Sequence, residues 1–191
     1  MLAYARTSGA EEVILSGGDP LAVPDARLFM AIDGVRPEVP VVRVHTRAPI
    51  TFPSRVTSSL VAGLRARAPL WVIVHANHSV ELTPEVDAAL ARLVDAGIPV
   101  LNQSVLLRGI NDDPEVLAAL SRSLLARRVF PYYLHHTDAV PGNASFRVPL
   151  AEGQAIYARL RALVSGLGLP AYVIDPADGT GKRPVLPATL S

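Results

Sequence analysis

Apolar residues follow two alternating rhythms along this chain. Short, largely apolar runs over 13–15, 41–45, 70–74, 99–107, 129–134 and 171–174 are bounded by polar residues, glycine or proline. Such runs are typical of strands buried on both faces of a parallel sheet. Between them, apolar positions recur at helical spacing: Leu28, Phe29, Ala31 and Ile32; Val56, Leu60, Val61 and Leu64; Val116, Leu117, Leu120, Leu124 and Leu125. Thr83-Pro84 and Asp113-Pro114 read as helix starts, and Gly97 as a helix stop. The pattern predicts helices from about 25, over 55–67, 83–96, 113–125 and 150–164, with the tail of another helix ending at Gly9. Strand and helix thus alternate at least four times, which sets the class as α/β. Polar residues at each strand's C-terminal end favour a barrel or partial barrel, with an open doubly wound sheet as the alternative. Because the alternation starts inside a helix and counts five main strands, the expectation is a partial barrel lacking a preceding βα unit. No linker is visible; the proline-rich stretch 184–188 comes nearest to one.

The strand ends carry the candidate chemistry. They present Ser16-Gly17-Gly18-Asp19; His45 and Arg47; His75, Asn77 and His78; Asn102-Gln103-Ser104; and His135, His136 and Asp138. Any one of these is compatible with a structural loop. The spacing of His75 with His78, or of His135 with His136, fixes no metal geometry by itself.

Composition narrows the classes. The chain has 191 residues, is 50% hydrophobic and carries a formal net charge of +1, so bulk electrostatics point to neither nucleic acid nor membrane. No run approaches the ~18 apolar residues of a membrane span, and the start has no secretory pattern, so a cytoplasmic location is expected. Cysteine is absent. That excludes disulfides, thiolate-bound zinc and a self-contained iron–sulfur site.

Of the 18 lysines and arginines, Lys182 is the only lysine. It follows Asp175-Pro176-Ala177-Asp178-Gly179-Thr180-Gly181. Lysine, unlike arginine, can become a neutral amine and form a Schiff base. Glycine beside it allows close backbone approach to an anion such as a phosphate. Amine and cradle together suit pyridoxal phosphate (PLP), while on this segment alone a surface lysine in a turn is the favoured reading.

Taken in order, Val13-Ile14-Leu15-Ser16-Gly17-Gly18-Asp19-Pro20-Leu21, Arg47-Ala48-Pro49, Pro53-Ser54-Arg55, His75-Ala76-Asn77-His78, Asn102-Gln103-Ser104 running to Arg108-Gly109-Ile110-Asn111-Asp112, Pro131-Tyr132-Tyr133, Phe146-Arg147-Val148-Pro149 and Gly181-Lys182-Arg183-Pro184-Val185 resemble the lysine 2,3-aminomutases. The resemblance covers essentially the whole chain. It implies a PLP-dependent radical S-adenosylmethionine (SAM) enzyme with a [4Fe–4S] cluster and a partial (βα)6 barrel. It divides the chain into barrel residues 1–170 and a C-terminal PLP-lysine segment, 171–191, packed on the barrel. The activity implied is 1,2-amino migration converting L-lysine to β-lysine, begun by a deoxyadenosyl radical. Lys182 would hold PLP, with Gly179 and Gly181 beside its phosphate. Ser16, Gly17, Gly18 and Asp19 match the segment for the methionine end of SAM, and His75 and Gln103 match positions that contact SAM. Asp138 and Asp175 match two carboxylates for the side-chain ammonium of lysine. The full-length family implies a homo-oligomer.

The departures are equally specific. The family's Cys-x-x-x-Cys-x-x-Cys loop and its arginine for the substrate carboxylate are missing, and His135 stands where an aromatic residue is usual. Asp178 and Thr180 replace glycines. The expectation is a family member truncated at its N-terminus, without metal ligands and inactive as it stands, its exposed sheet edge prone to association. The alternatives are a non-catalytic remnant, an aminomutase that β-lysylates an elongation factor, or a radical-independent PLP enzyme.

Overall fold

The computed structural model describes residues 9–138, 142–176 and 181–185. The expected helix ahead of the first strand falls in 1–8, outside the described residues. Strand order is sequential from β1 to β7. The strands are β1 (Glu12–Leu15), β2 (Val41–His45), β3 (Trp71–His75), β4 (Val100–Val105), β5 (Phe130–His135), β6 (Ala171–Ile174) and β7 (Arg183–Pro184). The helices are α1 (Asp25–Val35), α2 (Ala48–Thr51), α3 (Ser58–Arg65), α4 (Pro84–Asp95), α5 (Pro114–Ala126) and α6 (Leu150–Leu163). Although the sequence shows no linker, the chain divides into two compact units. The first holds 1–75 and 83–101, the second 76–82 and 102–191.

In the first unit β1, β2 and β3 pair in parallel. Val42, Val44, Val72 and Val74 are fully or almost fully buried, as are Leu28 and Ile32 of α1, Leu60 and Leu64 of α3, and Leu90 and Leu93 of α4. Each such side chain contributes roughly 1.5–3 kcal/mol of burial. The caps read from sequence are formed: the Thr83 side chain accepts the Val86 N–H, with Pro84 opening α4. Helix α3 is shorter than its apolar period suggested, because Thr57 caps it through the Leu60 N–H and residues 53–55 form a separate 3-10 turn.

In the second unit β5 pairs in parallel with β6, and β6 pairs antiparallel with β7. A core of Leu106, Leu117, Ala118, Leu134, Val148, Ile156, Leu160, Tyr172 and Val185 lies among these strands, α5 and α6. Asp113 caps α5 by accepting the Glu115 N–H. The expected strand over 99–107 ends earlier, at Val105. Leu106 is still buried, and its N–H donates to the His135 carbonyl at 2.9 Å.

Candidate functional site

The glycine turn after β1 is open. Ser16, Gly17 and Gly18 are exposed, and a side chain at either glycine would meet nothing within 4 Å. Gly18 has a φ of +62°, in the left-handed region that favours glycine. Asp19 is committed inward. Its Oδ1 accepts the Leu21 N–H at 2.9 Å and the Thr46 hydroxyl at 2.6 Å, and its Oδ2 accepts the Arg47 and Ala48 N–H groups at 2.8 and 3.2 Å. Four donors on one carboxylate pin the turn after β1 to the loop after β2, leaving backbone and the Ser16 side chain as the open groups of the segment. His75 ends β3 in the same unit, half-buried.

In the second unit, β4 splits the Asn102-Gln103-Ser104 motif between two faces. Asn102 and Ser104 are buried and Gln103 is half-buried. Asn102 Oδ1 accepts the Ala76 N–H at 2.8 Å, and its amide donates to the Ala76 carbonyl and to Ser104 Oγ. Asn111 extends the pattern: its Oδ1 accepts the Leu107 N–H, and its amide donates to the Asn77 and Val105 carbonyls. Asn77 Oδ1 accepts the Val105 N–H at 2.8 Å, while Glu81 accepts the Asn77 and His78 N–H groups. Most of this motif therefore satisfies backbone, and Gln103 is its one member on the other face.

The C-terminal candidates converge. Asp138 and Asp175 both line a cleft of about 720 Å³, together with His136, Arg147, Pro149 and Ile174. That volume suits a small polar metabolite. Lys182 Nζ lies 3.2 Å from Asp175 Oδ1 and 5.9 Å from the Tyr133 ring centroid. Asp175 Oδ2 lies 3.3 Å from His135 Nδ1. The Lys182 and Asp175 side chains are 39% and 38% exposed, enough to meet a ligand, whereas His135 is 16% exposed. Burial, then the Lys182 charge, push the His135 pKa below its ordinary value, against an upward pull from Asp175. His136 is also pushed down by burial and contacts the Tyr172 hydroxyl at 2.7 Å. Gly181, at φ +84°, sits directly before Lys182; Gly179 lies outside the described residues. The place of His135 beside Asp175 had no signal in the sequence beyond its departure from the usual aromatic.

These residues do not fit an iron–sulfur cluster. The chain has no cysteine, and the described residues contain no group of three or more histidines and acids that could hold a metal. Lys182 does fit an aldehyde cofactor, being an accessible amine beside an acidic cleft. No helix among the described residues is long and apolar enough to cross a membrane.

No family model matches the chain. It is nevertheless a homologue of aminomutases over nearly all its length. It is 42% identical over 185 residues to the L-lysine 2,3-aminomutase of Fusobacterium nucleatum, covering 96% of this chain and 44% of that protein. The Clostridium subterminale L-lysine 2,3-aminomutase is 42% identical over 187 residues, covering 96% and 45%. The glutamate 2,3-aminomutase of Clostridioides difficile is 36% identical over 181 residues, covering 94% and 43%. The chain therefore spans less than half the length of these relatives. Among solved structures, SuiB of Streptococcus suis bound to S-adenosylmethionine matches 92% of this chain and 42% of its own at a TM-score of 0.67 and 12% identity. A radical SAM methyltransferase from Sphaerobacter thermophilus matches 92% and 55% at 0.63 and 17%. The fold is thus a radical-SAM-type partial barrel.

Proposed function

We propose that this homologue of the lysine 2,3-aminomutases forms the amino-acid- and PLP-binding part of an enzyme that moves the α-amino group of L-lysine to Cβ. The observation that carries the reading is the convergence of Lys182 with Asp175, and of Asp175 with Asp138 on one cleft. Bound PLP would supply an aldehyde for the amino group and a ring that spreads an unpaired electron. Lys182 Nζ would anchor it, with the Gly181 backbone close by. Asp138 and Asp175 would receive the side-chain ammonium of the substrate through charge-assisted hydrogen bonds. A substrate with a neutral or acidic side chain leaves two carboxylates unpaired, a recognition penalty that favours lysine over glutamate. In the first unit Ser16, Gly17, Gly18 and His75 would serve SAM; in the second, Gln103 stands by itself at a position that the resemblance gives to a SAM contact. Asp19 would act in the first unit by holding the glycine turn, since its own oxygens are taken. No radical step is assigned to this chain, because the thiolates a cluster requires are absent from it.

The lack of cysteine favours a second reading, a non-catalytic remnant that keeps the fold. One experiment separates the two. The purified chain is incubated with PLP, reduced with borohydride and digested, and the peptides are weighed. The proposed function expects a phosphopyridoxyl mass on Lys182, lost in Lys182→Ala and reduced by competing L-lysine. A chain that folds cooperatively yet takes no PLP at Lys182 is the remnant.

A further inference from the structure

The carboxylate that would receive a substrate ammonium already has two partners inside the chain. Asp175 Oδ1 faces Lys182 Nζ at 3.2 Å, and Oδ2 faces His135 Nδ1 at 3.3 Å. His135 is the better fixed of the two partners. It ends β5, its backbone is in register with Val173 of β6, and its carbonyl accepts the Leu106 N–H at 2.9 Å. The Tyr133 ring meets its imidazole edge-on at 5.5 Å between centroids. Lys182, by contrast, is a flexible four-carbon stem with half-exposed surroundings.

The tautomer follows from the burial of the other nitrogen. His135 Nε2 is buried and has no hydrogen-bond partner among the described residues. A hydrogen on Nε2 would be an unsatisfied buried donor, whereas a hydrogen on Nδ1 has the carboxylate to donate to. Burial and the Lys182 charge together lower the His135 pKa, so the ring is neutral near pH 7 and carries its single N–H on Nδ1.

We infer that His135 is a positioning residue for Lys182: its Nδ1–H holds the Asp175 carboxylate in the orientation that presents the opposite oxygen to the Lys182 amine. The consequence deepens the proposed function and rests on it. While the amine is free, Asp175 holds it in place; once the amine is consumed, Oδ1 stays aimed and open to a second ammonium, that of the substrate. Asp175 thus serves two ammonium groups in turn, and His135 keeps it fixed for both.

The test does not need PLP. Because Lys182 is the only lysine, an amine-acylating reagent at fixed pH reports it alone once the N-terminal peptide is separated. An ammonium held by a fixed carboxylate is acylated slowly, so Asp175→Asn and His135→Phe should each speed labelling about threefold, the size expected for losing an exposed ion pair. His135→Asn, whose side-chain N–H falls where Nδ1 stands, should return the rate to within about twofold of wild type. A wild-type rate in His135→Phe, or a His135→Asn rate equal to that of His135→Phe, overturns the inference. If thermal melting shows that His135→Phe does not fold, His135→Asn is compared with His135→Gln, whose N–H reaches a different point; equal rates then overturn it. Failure of PLP to attach to Lys182 would sink the proposed function while leaving this result standing.

Discussion

Asn102 and Gln103 are neighbours with opposite duties. The Asn102 amide satisfies both the N–H and the carbonyl of Ala76, at 2.8 and 3.1 Å, in a site where Asn102 itself is 1% exposed. Truncation to alanine strands the Ala76 N–H away from water and leaves its carbonyl to the Ser104 hydroxyl alone, at 2.7 Å. We expect Asn102→Ala to cost about 2–3 kcal/mol, read as a lower denaturant midpoint. Gln103→Ala, on the other face of β4, should change stability by no more than about 0.5 kcal/mol and, on the proposed function, weaken SAM binding by calorimetry. A large stability loss at Gln103 would contradict this division of the motif. Sequence alone left the whole stretch open between candidate chemistry and a structural loop, because chemistry and backbone satisfaction use the same polar residue types, and only the family resemblance singled out Gln103. Alternation along β4 separates them, and it becomes decisive only once the strand's register is known. Asp19 is a parallel case: an acid after two glycines looks like a ligand until its four internal donors are counted.

Elements were legible where their apolar period was long and their ends were capped. Helices α4 and α5 begin where Thr83-Pro84 and Asp113-Pro114 place them. The four-residue α2 and two-residue β7 are too short to show any period, and β7 exists only because its partner β6 lies beside it. The site suffered the same limit: His135, Asp175 and Lys182 are close because β5 pairs with β6 and β6 with β7, a tertiary fact with no local signature. Packing between helices makes a further prediction. A side chain at Gly63 in α3 would run into the ring of Phe29 in α1, on which the Arg67 guanidinium also rests at 4.3 Å. Gly63→Ala gains helix propensity yet overpacks this contact, for a net loss of about 1–3 kcal/mol. Phe29→Leu in the same chain should recover part of that loss, because it clears the ring. A double-mutant cycle on thermal melts measures the recovery, and strict additivity would refute the clash.

At the scale of the whole molecule, two histidines of the second unit make stability depend on pH. His135 and His136 adjoin along β5 and the residue after it, and burial lowers the pKa of each from its ordinary value. In the unfolded chain both titrate near the reference value of about 6.5. Below that pH the unfolded chain binds protons that the folded chain refuses. Their contribution to stability is therefore intact above about pH 6.5 and is lost as pH falls toward the lowered folded values. Protonation also has a structural effect at His136. Its Nδ1 faces the Tyr172 hydroxyl at 2.7 Å in a pair whose donor is set by the imidazole tautomer, and burial raises the Tyr172 pKa, so the phenol stays protonated. An imidazolium can only donate in that pair, so protonation fixes His136 as the donor to the phenolic oxygen, and Tyr172 belongs to the core of the second unit. Melting temperature should accordingly fall between pH 7.5 and pH 5, with hydrogen exchange rising first around 130–137 and 171–174. His136→Asn removes one of the two titrating groups while keeping an amide that can partner Tyr172, so its melting temperature should fall less over the same interval. Equal slopes for wild type and His136→Asn would remove His136 from this account, and a flat wild-type profile would remove both histidines.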